Sequence, residues 1–143
     1  MDGSPIRQKT YAVNEEEQTI EAEGVEITVY GALITLKCYS NQLTTLDVSK
    51  NTALTELYCY SNQLTTLDVS KNNALDTLDC SVNPTVTNIS VASSYSDASV
   101  STALATLITD ATSTTGTLNI YGGDNTTVHT AATTKGWTVK TNL

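Results

Sequence analysis

The string CYSNQLTTLDVSKN occurs twice without a change, at residues 38–51 and again at residues 59–72, an offset of 21 residues. The same offset links Leu36, Leu57 and Leu78; it links Cys38, Cys59 and Cys80; and it links Asn41, Asn62 and Asn83. A fixed period of this length, with leucines and asparagines at constant positions, predicts stacked units. Each unit is too small to bury its apolar face alone and does so against its neighbours.

Each unit carries two short apolar pulses. One is TLxC, as in Thr77-Leu78-Asp79-Cys80, and the other is TLDV, as in Thr66-Leu67-Asp68-Val69. Apolar and polar residues alternate within each pulse, which is the period of a half-buried strand. Leu57 and Cys59 are therefore expected to point in and Tyr58 and Tyr60 out. Likewise Leu67 and Val69 should point in, with Thr66, Asp68 and Ser70 out. Stacked units then give two parallel ladders on opposite sides of a flattened tube, each turn of the chain supplying the crossover that parallel strands need. The Asn positions fall between the pulses, where an amide can satisfy neighbouring backbone groups, and their role is read as structural.

Working outward, residues 25–36 (VEITVYGALITL) fall on residues 46–57 when shifted by 21, so that Val25 matches Leu46 and Ile27 matches Val48. A degenerate half-unit thus precedes the clean repeats, as expected where an end must cover apolar surface. Further upstream, residues 1–9 read as disordered, residues 10–13 as a short strand, and the run Glu15, Glu16, Glu17, Glu21, Glu23 and Glu26 as a solvated, partly mobile leader with a brief alternation over residues 19–22. Downstream, Pro84 adds one residue, and Val86, Ile89 and Val91 take the places of Leu64, Leu67 and Val69 at a spacing of 22. Residues 93–96 form a polar break, and Ser96 or Asp97 can cap a helix. Val100, Leu104, Leu107 and Ile108 lie on one helical face ending near Asp110. Residues 117–121 read as a strand echoing TLxC, and residues 122–125 as a turn. Residues 127–135 read as a short helix stopped by Gly136, and residues 137–139 as a last strand. Gly31 and Gly116 read as turn residues.

Bulk composition excludes several functions. The net charge is −8 with a sequence pI near 4.3, which argues against nucleic acid and anionic membrane surfaces. No apolar run is long enough to insert in a membrane, and no signal peptide is visible. Met1-Asp2-Gly3-Ser4-Pro5 reads as an inter-domain edge or an artificial start. The Cys count is 3. An odd number at one repeat position, on neighbouring strands, does not suit a disulfide framework, and zinc would want Cys-x-x-Cys spacing or added His ligands. A column of small inward side chains fits better. No cofactor is implied.

The units LYCYSNQLTTLDVSKNTAL and LDCSVNP resemble the leucine-rich repeats of bacterial surface proteins, internalin-like relatives with short coils. The tail AATTKGWTV is similar to segments that close such arrays. The expected fold is therefore mainly β: a short leucine-rich repeat solenoid with parallel β ladders and a small α/β C-terminal cap. Residues 1–24 form a leader and cap, 25–93 the solenoid, and 94–143 the closing α/β unit. The resemblance implies a secreted or cell-surface bacterial protein, extracellular in location, that binds a protein or glycan and is not an enzyme.

The outward side chains carry what remains of function. From the TLxC ladder, Lys37, Tyr39, Glu56, Tyr58, Tyr60 and Asp79 project together, with Ser81 beyond them, and Tyr39 is expected to stack on Tyr60. Exposed Tyr supplies rigid contact area with a polar tip, as at interaction surfaces. It is also a good strand former that stabilises sheets without any ligand. The leading expectation is a non-catalytic binding module using this face; a purely structural spacer or stalk stands beside it. More remote is a glycan hydrolase using the acid column Glu26, Asp47 and Asp68, stacked at about 4.8 Å so that each raises its neighbour's pKa. Lys50 and Lys71, three residues on, are placed to neutralise that column. The only histidine, His129, falls in the second predicted helix with no second ligand nearby in sequence and reads as a surface or cap-packing residue. No Ser or Thr has the base and orienting group that a nucleophile needs.

Overall fold

The computed structural model describes residues 8–13, 17–19, 26–92, 98–123, 125–141 and 143, the first two segments as backbone only. The protein is mainly β, with parallel sheets and two helices. Strands β2 (Glu17–Thr19), β4 (Thr35–Lys37), β6 (Glu56–Tyr58) and β8 (Thr77–Asp79) form one sheet in that order. Its register pairs Leu36 with Leu57 and Leu57 with Leu78, the 21-residue spacing read from the sequence.

A second series of strands runs β1 (Gln8–Val13), β3 (Glu26–Gly31) and β5 (Thr45–Asp47), then β7 (Thr66–Asp68) and β9 (Asn88–Ala92). Where β5 runs beside β7 the link is made by Gln63 N donating to Leu43 O at 2.8 Å and Thr65 N to Thr44 O at 3.1 Å. Leu67 pairs with Ile89, so the 22-residue step at Pro84 holds. The inward leucines, valines and cysteines of both series join one core cluster that extends from Ile27 to Trp137. Burying a leucine of this kind contributes roughly 1.5–3 kcal/mol.

Three sequence expectations are corrected by the register. Ile27 pairs with Leu46 and Thr28 with Asp47, an offset of 19, so Ile27 does not match Val48. By residue 34 the offset is 21 again, as Thr55 N donates to Ile34 O. The two residues are absorbed at Gly31, whose φ of 126° and bond from Leu33 N make a tighter turn than the one at residues 48–54. Lys9 and Glu17, expected in disordered or mobile leader, lie in β1 and β2, which pair with β3 and β4. The remaining leader residues, Val25, the break at 93–96 and the caps Ser96 and Asp97 lie outside the described residues.

The third correction concerns β10 (Thr117–Tyr121). It pairs with β9, and β11 (Thr138–Lys140) pairs with β10, so β10 extends the TLDV series and not the TLxC one. The place beyond β8 is taken by a helix. Helix α1 (Ala98–Asp110) packs on β8, with Ser99 Oγ donating to Asp76 O at 2.7 Å, and buries Val100, Leu104, Leu107 and Ile108 as their spacing predicts. Helix α2 (Thr126–Lys135) packs on α1. Asn125 caps α2 by accepting from Val128 N at 3.3 Å, while its Nδ2 donates to Ser101 Oγ at 3.0 Å. Gly136, at φ 87°, ends α2: its N–H donates to Thr133 O and that of Trp137 to Ala132 O, the paired bonds of a left-handed helix stop.

Candidate binding face

The turns that follow the TLxC strands are held by asparagine amides. Asn62 is buried; its Oδ1 accepts from Asn41 N at 3.0 Å and Leu43 N at 2.9 Å, and its Nδ2 donates to Cys38 O and Cys59 O, each at 3.0 Å. Asn83 repeats this one unit on, with Leu64 N, Cys59 O and Cys80 O. Each amide thus ties two successive units together and fixes where the outward residues between them project. Asn51 bonds through Nδ2 to Gly31 O, and Asn72 to Val48 O and Asn51 O, while their buried Oδ1 atoms have no partner among the described residues.

The cysteines lie beneath this face. Cys38, Cys59 and Cys80 are free and buried. Burial pushes the Cys38 and Cys80 thiols up to about 12, the latter also through the nearby Asp79 carboxylate. Burial raises Cys59 well above the ordinary thiol value too. These are neutral packing groups, since the thiolate is the nucleophile and metal ligand.

On the outer side of the TLxC sheet, Thr35, Glu56 and Thr77 form one row and Lys37, Tyr58 and Asp79 the next. The same register continued places Tyr39, Tyr60 and Ser81 in a third. The structure brings all six expected residues to this one face. Tyr39 and Tyr60 stack with ring centroids 4.6 Å apart and planes 6° from parallel, and Tyr39 is 38% exposed. Tyr58 OH donates to Glu56 Oε2 at 3.3 Å. The Tyr58 phenol is raised above its usual pKa, first by partial desolvation and then by the Glu56 carboxylate, with Lys37 acting in the opposite sense. Asp79 Oδ1 accepts from Ser81 N at 3.1 Å and from Ser81 Oγ at 2.7 Å. Asp76, which also raises Tyr58, was not anticipated; its place before β8, one period after Thr55, was the available signal.

Of the expected acid column, Glu26 falls out of register, while Asp47 and Asp68 keep the 21-residue offset marked by Thr65 N donating to Thr44 O. Glu26 pairs with Thr45, and Asp47 has Thr28 as its partner, because the offset there is 19. Asp47 Oδ1 accepts from Ser49 N at 3.0 Å; Asp68 Oδ1 accepts from Ser70 N at 3.0 Å and Ser70 Oγ at 2.7 Å. These carboxylates close turns. Lys71, expected beside this column, has its Nζ over the Tyr121 ring, 5.9 Å from the centroid.

Elsewhere, His129 lies in α2, half-buried. A shallow cleft of about 420 Å³ between the helices is lined by Thr109, Thr130, Ala131, Thr134 and Lys135, whose Nζ donates to Thr109 O at 2.9 Å. Among the described residues no group of three or more His, Cys, Asp or Glu side chains is placed to hold a metal ion, and no helix is long and apolar enough to cross a membrane. No protein-family model matches the chain, and neither curated proteins nor solved structures yield a match.

Proposed function

We propose that the chain is a short leucine-rich repeat solenoid, internalin-like in kind, serving as a non-catalytic binding module of a secreted or cell-surface bacterial protein. It contacts a protein or glycan through the face bearing Lys37, Tyr39, Glu56, Tyr58, Tyr60 and Asp79. The observation that carries the reading is the stacked, solvent-facing pair Tyr39 and Tyr60. Two rings held parallel on a rigid sheet lose little conformational freedom when a partner covers them, the economy that makes tyrosine frequent at recognition surfaces. The reading is supported further by the 21-residue register of the TLxC sheet and by the asparagine amides that join its units.

A purely structural spacer is the second reading, favoured by the same stack, because aromatic neighbours on adjacent strands stabilise a sheet without any ligand. The test is a partner screen, by protein display and glycan array, run with the parent chain and with Tyr39→Ser, Tyr58→Ser and Tyr60→Ser combined. Ligands of the parent should be lost in the triple variant. Ligands that ignore the change move the binding face elsewhere, and a parent that binds nothing favours the spacer.

A further inference from the structure

The Tyr39–Tyr60 stack ends abruptly. Its 4.6 Å ring spacing follows the strand spacing of a sheet, about 4.7–4.9 Å, each ring standing two residues past the end of its own strand, β4 or β6. The next position in the row is Ser81, which carries a hydroxymethyl group and no ring. The Ser81 hydroxyl donates to Asp79 Oδ1, so the serine turns toward its own strand's carboxylate. Tyr39 covers one face of Tyr60; on the other side, among the described residues, the row continues with this small polar residue.

The charge beside that ring is acidic. Asp79 lies on the same strand end as Ser81, while Glu56 and Asp76 act on the neighbouring Tyr58; Lys37 is the cation among them. A planar cation suits both features, since a guanidinium stacks on an aromatic face and donates to a carboxylate in its own plane. The chain already uses this chemistry on its other side, where the Lys71 ammonium sits over Tyr121.

We propose that the Tyr face takes a basic segment of a partner protein, with an arginine guanidinium stacked on Tyr60 at the Ser81 step and held by the Asp79 carboxylate. This deepens the binding-module reading and rests on it. The arginine continues the aromatic row by one step and brings the charge that complements the carboxylates around it.

The test uses the full isotope-labelled chain, followed by amide NMR. A Gly-Ser-Arg repeat peptide is titrated against its citrulline counterpart and against cellohexaose and chitohexaose. The arginine peptide should shift amides of residues 58–61 and 79–82, and citrulline should weaken binding about tenfold, the effect of losing one charge-assisted bond. Ser81→Tyr, which fills the step with a third ring, should give a similar loss with the fold retained. Asp79→Asn, which keeps an acceptor for Ser81 and removes only the charge, should do the same and guards against misfolding of the first variant. Equal binding of the citrulline peptide, no effect of either substitution, shifts centred on Asp47 and Asp68, or no shift at all overturns the proposal. Shifts of the Tyr face by the oligosaccharides alone overturn the basic partner while leaving the face as a binding surface.

Discussion

The Trp137 ring occupies the space that any side chain at residue 116 would need. A Cβ built on Gly116 falls 2.5 Å from Trp137 Cδ2 and Cε2 and 2.8 Å from Thr87 O. Neither neighbour yields easily: Trp137 is buried, with its Nε1 donating to Ser113 O at 3.2 Å, and Thr87 O accepts from Thr117 N in the sheet. Gly116 is therefore a close-packing glycine and not the simple turn residue its sequence suggests. Gly116→Ala should cost about 1–3 kcal/mol, the range for forced overpacking. Urea titration followed by the fluorescence of this single tryptophan reads both the loss and the displaced ring.

Asn62 should be among the least replaceable polar residues. Its removal strips the side-chain partner from the buried N–H of Leu43 and from the Cys38 carbonyl, while Cys59 O keeps its bond from Asn83 Nδ2. Leaving such groups unsatisfied costs about 1–3 kcal/mol each when water cannot reach them. Asn62→Ala should lose about 2 kcal/mol or more in chemical denaturation, at about 1 kcal/mol or more for each of the two groups, and Asn51→Ala should lose less, because the Asn51 Oδ1 has no partner among the described residues. Equal losses would mean that burial of the amide, and not its bonds, sets the effect.

Val82 breaks a local rule. It sits at φ 54° and is 63% exposed, at the repeat position where Ser40 and Ser61 adopt φ 56° and 54°. A β-branched residue in the left-handed region is strained by roughly 1–2 kcal/mol. Val82→Asn should therefore stabilise the protein by about 1 kcal/mol, or raise Tm by about 2–4 °C for a chain of this length, as scanning calorimetry would show. An unchanged or lowered Tm would mean that Val82 has contacts offsetting its backbone strain.

The buried thiols predict an alkaline limb of stability. Folding raises Cys38 and Cys80 to about 12 from an ordinary value of 9.0. Between those values the unfolded chain has released protons that the folded one keeps, so stability falls as pH rises. The slope is up to about 1.4 kcal/mol per pH unit for each thiol. Below pH 9 the thiols contribute no slope. Cys38→Ala should flatten the decline between pH 9 and 12 relative to the parent in urea titrations. Native protein at pH 8 should also resist a thiol reagent that labels all three cysteines once urea is added.

How much of this was legible follows from the strand period. Leu36, Leu57 and Leu78 are paired as their spacing demands, and Cys38, Cys59 and Cys80 are buried beneath them. The identical 14-residue strings leave no freedom of register there. Near Ile27 the pattern loses that power. A slip of one residue reverses a strand's faces, but a slip of two preserves them, so alternation alone cannot separate offsets of 19 and 21. Glu26 was misplaced for that reason, and it drops out of the acid column. The TLxC and TLDV pulses alternate alike, so β10 carried no mark of which series it joins; α1 occupying the place beyond β8 decided it. Tyr39 and Tyr60 stood inside the verbatim repeat, where register was certain, and their stack was legible.

The stack itself can be weighed by a double-mutant cycle on Tyr39→Ala and Tyr60→Ala. Parallel rings 4.6 Å apart should couple by about 0.5–1.5 kcal/mol beyond their area burial. The lower end is expected here, because Tyr39 is 38% exposed and water competes for the ring faces. A coupling near 0.5 kcal/mol is small against the roughly 5–15 kcal/mol that holds a domain together. The triple Tyr→Ser chain should then remain folded, and its loss of a partner would report on the face alone. A coupling near 2 kcal/mol or above would make the pair chiefly a structural clamp, and the spacer reading would gain what the binding reading loses.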